Sequence, residues 1–135
     1  MRLLIVENDE DTAGFMRYVL EEERHSVRTA SAVGAARWQL RDYKPDLIIL
    51  DRGLPDSDGV DFCRELKSRP GFLGVPVLFV SAARSPAQIH EAFAAGGDDY
   101  IVKPFSVAEF LARIESVLRR PARLSEGPDR LPQPS

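Results

Sequence analysis

Two short runs, DLIIL at Asp46–Leu50 and PVLFV at Pro76–Val80, are apolar at every position after the first. A strand with one face in water alternates apolar and polar residues. A strand that is apolar throughout has to be covered on both faces, as in a parallel sheet layered with helices. Three weaker β-like runs join them, at Arg2–Val6, Ser26–Ala30 and Tyr100–Val102. Helical periodicity fills the gaps between them. Ala13, Met16 and Leu20 share one face, with Phe15 and Val19 on its flank, and Val60, Cys63 and Leu66 make a shorter stripe. Val107, Phe110, Leu111, Ile114 and Leu118 make a longer one. Ser106 is placed to cap the last helix with Glu109 as its reciprocal partner, and Ser31 to cap the helix after the second run. Gly96-Gly97 ends the helix before the fifth run. Five strand–helix alternations predict parallel strands, right-handed crossovers and an open α/β sheet with helices on both sides.

The chain's 135 residues suit one domain, and 44% hydrophobic residues can fill its core. No apolar run approaches the ~20 residues of a membrane span, and no charged-then-apolar leader precedes Leu3, so a soluble, cytoplasmic protein is expected. The single cysteine, Cys63, is expected as helix filler in a reducing compartment. A net charge of −3 argues against direct nucleic-acid binding. His25 and His90 lack metal-ligand spacing, and Trp38 is expected to pack at the periphery. From Pro121 the periodicity stops. PARLSEGPDRLPQPS reads as a proline-rich linker or disordered tail over 121–135, leaving 1–120 as the domain.

In a doubly wound sheet the carboxyl ends of the strands share one rim, where ligands bind. Glu7, Asn8 and Asp9 follow the first strand, Asp51 the third, Ser81 the fourth and Lys103 the fifth. Carboxylates gathered in one crevice repel each other, and a hard divalent cation relieves that repulsion. Mg²⁺ takes oxygen ligands and keeps several waters, so one or two carboxylates suffice. With Mg²⁺, a lysine and a hydroxyl nearby, the rim suits phosphoryl transfer, which needs mainly positioning and charge neutralisation. Asp51 is the candidate nucleophile.

These segments resemble the receiver domain of bacterial two-component response regulators over about residues 2–120. LLIVEN, PDLIILDRGLPDSDGVDFCRELK, VPVLFVSA and GGDDYIVKPF match the family's motifs in order. The resemblance implies a flavodoxin-like doubly wound (βα)5 three-layer sandwich, with a parallel five-stranded sheet in the order 2-1-3-4-5. It implies that Asp51 accepts a phosphoryl group from a sensor histidine kinase or phosphotransfer protein. Glu7, Asn8, Asp51 and the Gly53 carbonyl would surround Mg²⁺, and Ser81 and Lys103 would contact the phosphoryl oxygens. Ser81 and Tyr100 would form the switch, with Tyr100 rotating inward, although Tyr100 also reads as ordinary edge packing. Lys103-Pro104 matches a cis peptide bond. The readout face would be helix four, strand five and helix five, holding Glu91, Asp98, Asp99, Glu109 and Arg113, with a possible homodimer there.

Asn8 departs from the family, which usually carries two adjacent acids at this point. Its carbonyl oxygen can ligate but brings no charge, so weaker Mg²⁺ binding is expected. Asp9 reads either as a compensating acid or as the cap of the first helix. LPDSDG is turn chemistry, with Asp56 and Asp58 expected in solvent and Gly59 starting a helix with a backbone angle other residues avoid. Three function classes follow: a phospho-accepting signalling module, a pseudo-receiver that binds partners without phosphorylation, and a flavin-binding protein. The last would need a phosphate-cradling loop where this chain has acids. A turnover enzyme is not expected.

Overall fold

A computed structural model describes residues 1–120, so the expected tail over 121–135 lies outside the described residues. The strands are β1 (Arg2–Val6), β2 (Ser26–Ala30), β3 (Leu47–Leu50), β4 (Val77–Ser81) and β5 (Asp99–Val102). The helices are α1 (Glu10–Glu22), α2 (Val33–Gln39), α3 (Gly59–Lys67), α4 (Pro86–Ala94) and α5 (Val107–Leu118). All pairings are parallel, in the order β2-β1-β3-β4-β5. This is the flavodoxin-like three-layer arrangement that the resemblance implies.

Strand alternation divides the core in two. Leu4, Val6, Ile48, Leu50 and Phe79 meet α2, α3 and α4. Leu3, Ile5, Leu47, Ile49, Leu78 and Val80 meet α1 and α5. Every residue of β3 and β4 is buried, as their apolar runs require. In α5 the buried residues are Phe110, Ile114 and Val117, whereas Val107, expected in the stripe, is 42 % exposed in the first turn. Trp38 is not packed into the helix layer either: it is 68 % exposed, with the Arg41 guanidinium 4.5 Å from its ring centroid.

The helix starts also depart from expectation. Ser31 does not cap α2. Its N-cap residue is Ala32, which has no side-chain cap, and the first amides of the helix are taken from a distance. Val33 and Gly34 donate to the two Asp56 carboxylate oxygens, each at 2.9 Å. Asp58 caps α3 by accepting from the Val60 amide at 2.8 Å. Both acids of the turn therefore bond helix starts, because the first N–H groups of a helix lack partners of their own. Ser106 accepts from the Glu109 amide as predicted. The reciprocal capping box falls instead at Ser85 and Gln88, the start of α4. Gly96 lies at φ 110°, just beyond the end of α4, where an L side chain would be strained.

Candidate functional site

Sheet register brings the rim residues together. Val6 pairs with Leu50, so Glu7 and Asp51 leave adjacent strands side by side. Ser81 pairs with Val102, which sets Lys103 one step beyond on the neighbouring edge. The Lys103 ammonium then reaches across the rim. Its Nζ donates to Glu7 Oε1 at 2.8 Å and to Asp51 Oδ2 at 3.2 Å. The peptide bond after Lys103 is cis, as the resemblance implies.

Each group is held from behind. The second oxygen of Glu7 accepts the Asp9 amide at 3.0 Å. Asp51 Oδ1 faces the Gly53 amide at 3.4 Å, so the start of the β3–α3 turn curls around that carboxylate. Ser81 Oγ accepts the Ala83 amide at 3.2 Å. Glu7, Asp51 and Ser81 are all buried, whereas Asn8 is exposed at the lip. Asp9 caps α1 by accepting from the Thr12 amide at 3.0 Å, which favours its cap reading. Gly59 starts α3, but its backbone angle is ordinary. Space is the reason for it: a Cβ there would stand 2.1 Å from the Asp51 carbonyl oxygen.

The electrostatics follow from burial and pairing. Burial pushes the Glu7 carboxyl above its ordinary value, against the opposing pull of its bond to Lys103. For Lys103, burial alone would lower the ammonium's pKa. The bond to Glu7 and the charge of Asp51 outweigh it, so the pKa is raised and the lysine stays charged. Two carboxylates (−2) and one ammonium (+1) leave the pocket at −1.

Among the described residues no group of three or more His, Cys, Asp or Glu side chains could hold a metal ion. A cation here would take two carboxylates and complete its shell with neutral oxygens. The donors at hand fit Mg²⁺, which prefers hard oxygens and retains water.

Tyr100 is 6 % exposed, with its ring 5.9 Å from that of Phe79 and its hydroxyl donating to the Ala83 carbonyl at 2.6 Å. Its side chain therefore lies inward, over the loop that follows Ser81. Of the charges expected on the α4–β5–α5 face, Asp98 is a correction: it is buried, beside Lys67 at 3.6 Å. Asp99 pairs with Arg113 at 2.8 Å, and Glu91 pairs with Arg52.

Two features go unmarked by the motifs that the sequence offers. A cavity of about 540 Å³ borders Lys103, walled by Phe15, Pro104 and Phe105. Phe15, on the flank of its stripe, was the available signal. Arg52 is the other, since nothing in DRGLP marks where its guanidinium goes.

The rim defines an open-sheet α/β protein with an acid–lysine site. The family model for the response regulator receiver domain matches residues 3–115, and the chain belongs to that family. It is 37% identical over 119 residues to the phosphate regulon transcriptional regulatory protein of Rhizobium meliloti, covering 88% of this chain and 52% of that protein. It is 40% identical over 118 residues to the KDP operon transcriptional regulatory protein of Escherichia coli, covering 87% and 51%. The chain thus spans about half the length of these relatives. Among solved structures, a two-component response regulator from Clostridium difficile matches with TM-score 0.83 and 28% identity, over 89% of this chain and 97% of that one. The beryllofluoride-activated N-terminal receiver domain of RstA from Klebsiella pneumoniae matches with TM-score 0.81 and 28% identity, over 89% and 100%.

Proposed function

We propose that this receiver domain works by accepting a phosphoryl group on Asp51. The observation that carries the reading is Lys103 bridging Glu7 and Asp51 at 2.8 and 3.2 Å, across 96 and 52 residues of chain. A buried carboxylate beside a fixed ammonium is positioned to attack phosphorus while the lysine steadies a phosphoryl oxygen. The donor is a phosphohistidine on a sensor kinase or phosphotransfer protein. Its P–N bond breaks as the Asp51 oxygen–phosphorus bond forms, and the imidazole leaves.

Glu7, Asp51, the Asn8 side-chain oxygen and the Gly53 carbonyl would hold Mg²⁺. Bound there, Mg²⁺ would supply positive charge to neutralise the incoming group. Ser81 donates its hydroxyl proton to a phosphoryl oxygen, giving up its acceptor bond from Ala83 as it turns. Tyr100, against the carbonyl of that same Ala83, is placed to register the movement. The α4–β5–α5 face then carries the signal, with a homodimer as one possible readout. The transcriptional regulators among the relatives suggest that the receiver serves control of transcription. No helix among the described residues is long and apolar enough to cross a membrane, and a cytoplasmic site of action is part of this reading.

The test is incubation with acetyl phosphate and Mg²⁺, followed by intact-mass analysis. One added phosphoryl group is expected, absent with a chelator and absent in Asp51→Asn. Labelling that survives Asp51→Asn contradicts the assignment. No labelling at all, with partner binding intact in Asp51→Ala, supports the pseudo-receiver instead.

A further inference from the structure

The turn that carries Asp51 is tied to α4 by the very next residue. Arg52 donates through Nη1 to the Gln88 carbonyl at 2.6 Å and through Nη2 to the Glu91 carboxylate. Its side chain is only 10 % exposed, although it is charged. Tyr100 packs beneath the same helix, in one core cluster with Ala92 and with Ile89 against it. One planar fork therefore meets a helix carbonyl and a helix carboxylate on the helix that covers the tyrosine. A nearly buried guanidinium is costly to leave without partners. Moving α4 outward, as a swing of Tyr100 from beneath it requires, takes partners from Arg52. Both arrangements are thereby coupled to a residue covalently joined to Asp51.

We infer that Arg52 is a positioning residue that braces α4, and through it Tyr100, against the Asp51 turn. It sets how strongly Tyr100 prefers the inward position at any given phosphoryl occupancy. The inference rests on the proposed phosphoacceptor reading, since the brace is a control device only if Asp51 takes a phosphoryl group. The brace is specific to this chain's chemistry. An apolar residue after the phosphoacceptor could pack against α4, but it could not join Gln88 and Glu91 at one centre.

The test uses the full chain labelled with 3-fluorotyrosine. Fluorine NMR separates Tyr18, Tyr43 and Tyr100, and tyrosine-to-phenylalanine variants assign them. Beryllofluoride and Mg²⁺ are added, and the bound beryllofluoride's own fluorine signals report occupancy of Asp51. At equal occupancy, Arg52→Met is expected to shift the inward-to-outward ratio of Tyr100 by tenfold or more toward outward. Glu91→Gln shifts it less in the same direction, and Arg52→Lys, which keeps the charge, recovers part of the loss. Tyr18 and Tyr43 stay in place, as they would not in a globally disturbed fold. Wild-type Tyr100 signals in both Arg52→Met and Glu91→Gln, with beryllofluoride bound, overturn the inference. Should Arg52→Met not fold, an unmoved Tyr100 in folded Glu91→Gln overturns it alone. Absence of bound beryllofluoride from the wild type overturns the phosphoacceptor reading, and the brace's regulatory role with it.

Discussion

Two lysine–carboxylate sites stand at opposite ends of the sheet, and they are built differently. At the amino ends of β4 and β5, Lys67 meets Asp98 at 3.6 Å. Each group also bonds the backbone: Asp98 accepts the Val77 amide at 2.8 Å, and Lys67 donates to the Val75 carbonyl at 2.6 Å. That pair ties α3 to the start of two strands and carries no net charge. At the carboxyl rim one lysine faces two carboxylates, and the balance is −1. The rim lysine is also the more accessible, at 22 % side-chain exposure against 11 % for Lys67. The first pair is neutral, enclosed and bonded to the backbone as well. The rim keeps uncompensated charge and an exposed lip at Asn8.

Breaking the neutral pair should have the largest effect on folding and almost none on chemistry. Asp98→Ala removes the carboxylate beside a nearly buried ammonium and frees the Val77 amide. A loss of about 3–5 kcal/mol is expected in urea unfolding, the usual cost of removing one member of a buried pair. The folded fraction should still label at Asp51. Normal stability, or labelling lost from folded protein, would erase the contrast between the two ends.

Adding charge at the rim should act the other way. Asn8→Asp puts a third acid at the lip and takes the pocket from −1 to −2. Mg²⁺ binding by calorimetry should tighten about tenfold, equivalent to ~1.4 kcal/mol, with little change in folding. Unchanged Mg²⁺ affinity would mean that residue 8 does not face the metal.

The smallest effect belongs to an exposed pair. Arg37 holds Glu65 through a two-pronged bond at 2.7 and 2.9 Å, joining α2 to α3. That bond, ahead of the opposing effect of partial burial, keeps the Glu65 carboxyl below its ordinary 4.5. A depressed carboxylate stabilises the fold above its unfolded value, and the contribution is lost as pH falls through the lower folded value. Arg37→Ala should therefore cost only ~0–1 kcal/mol at neutral pH. Its stability difference from wild type should shrink from pH 4.5 downward. A difference that persists undiminished in acid would rule out the ion pair as its source.

The fold was legible because its signals are local and redundant. The apolar runs of β3 and β4 admit no solvated face, and the end of each strand points to the rim. The core site was legible for the same reason: Glu7, Asp51, Ser81 and Lys103 each directly follow or close a strand. What escaped depends on chain crossings that periodicity does not encode. Asp56 looks like a turn acid, yet it caps a helix 22 and 23 residues away. Arg52 looks like a surface charge beside a turn, yet it is nearly buried under α4. Asp98, in a string of glycines and acids, gave no sign that it pairs with Lys67. Long polar side chains reach several ångströms from their backbone, so their partners follow from tertiary packing alone.

The most direct check on the rim is a crystal structure of the chain with Mg²⁺ and beryllofluoride. The account predicts beryllium bonded to a carboxylate oxygen of Asp51, with its fluorides against the Lys103 ammonium and the Ser81 hydroxyl. Magnesium should lie between Glu7, Asp51 and the Gly53 carbonyl. Beryllofluoride on another carboxylate, or Lys103 still bridging Glu7 and Asp51 with nothing bound at saturating concentrations, would contradict it.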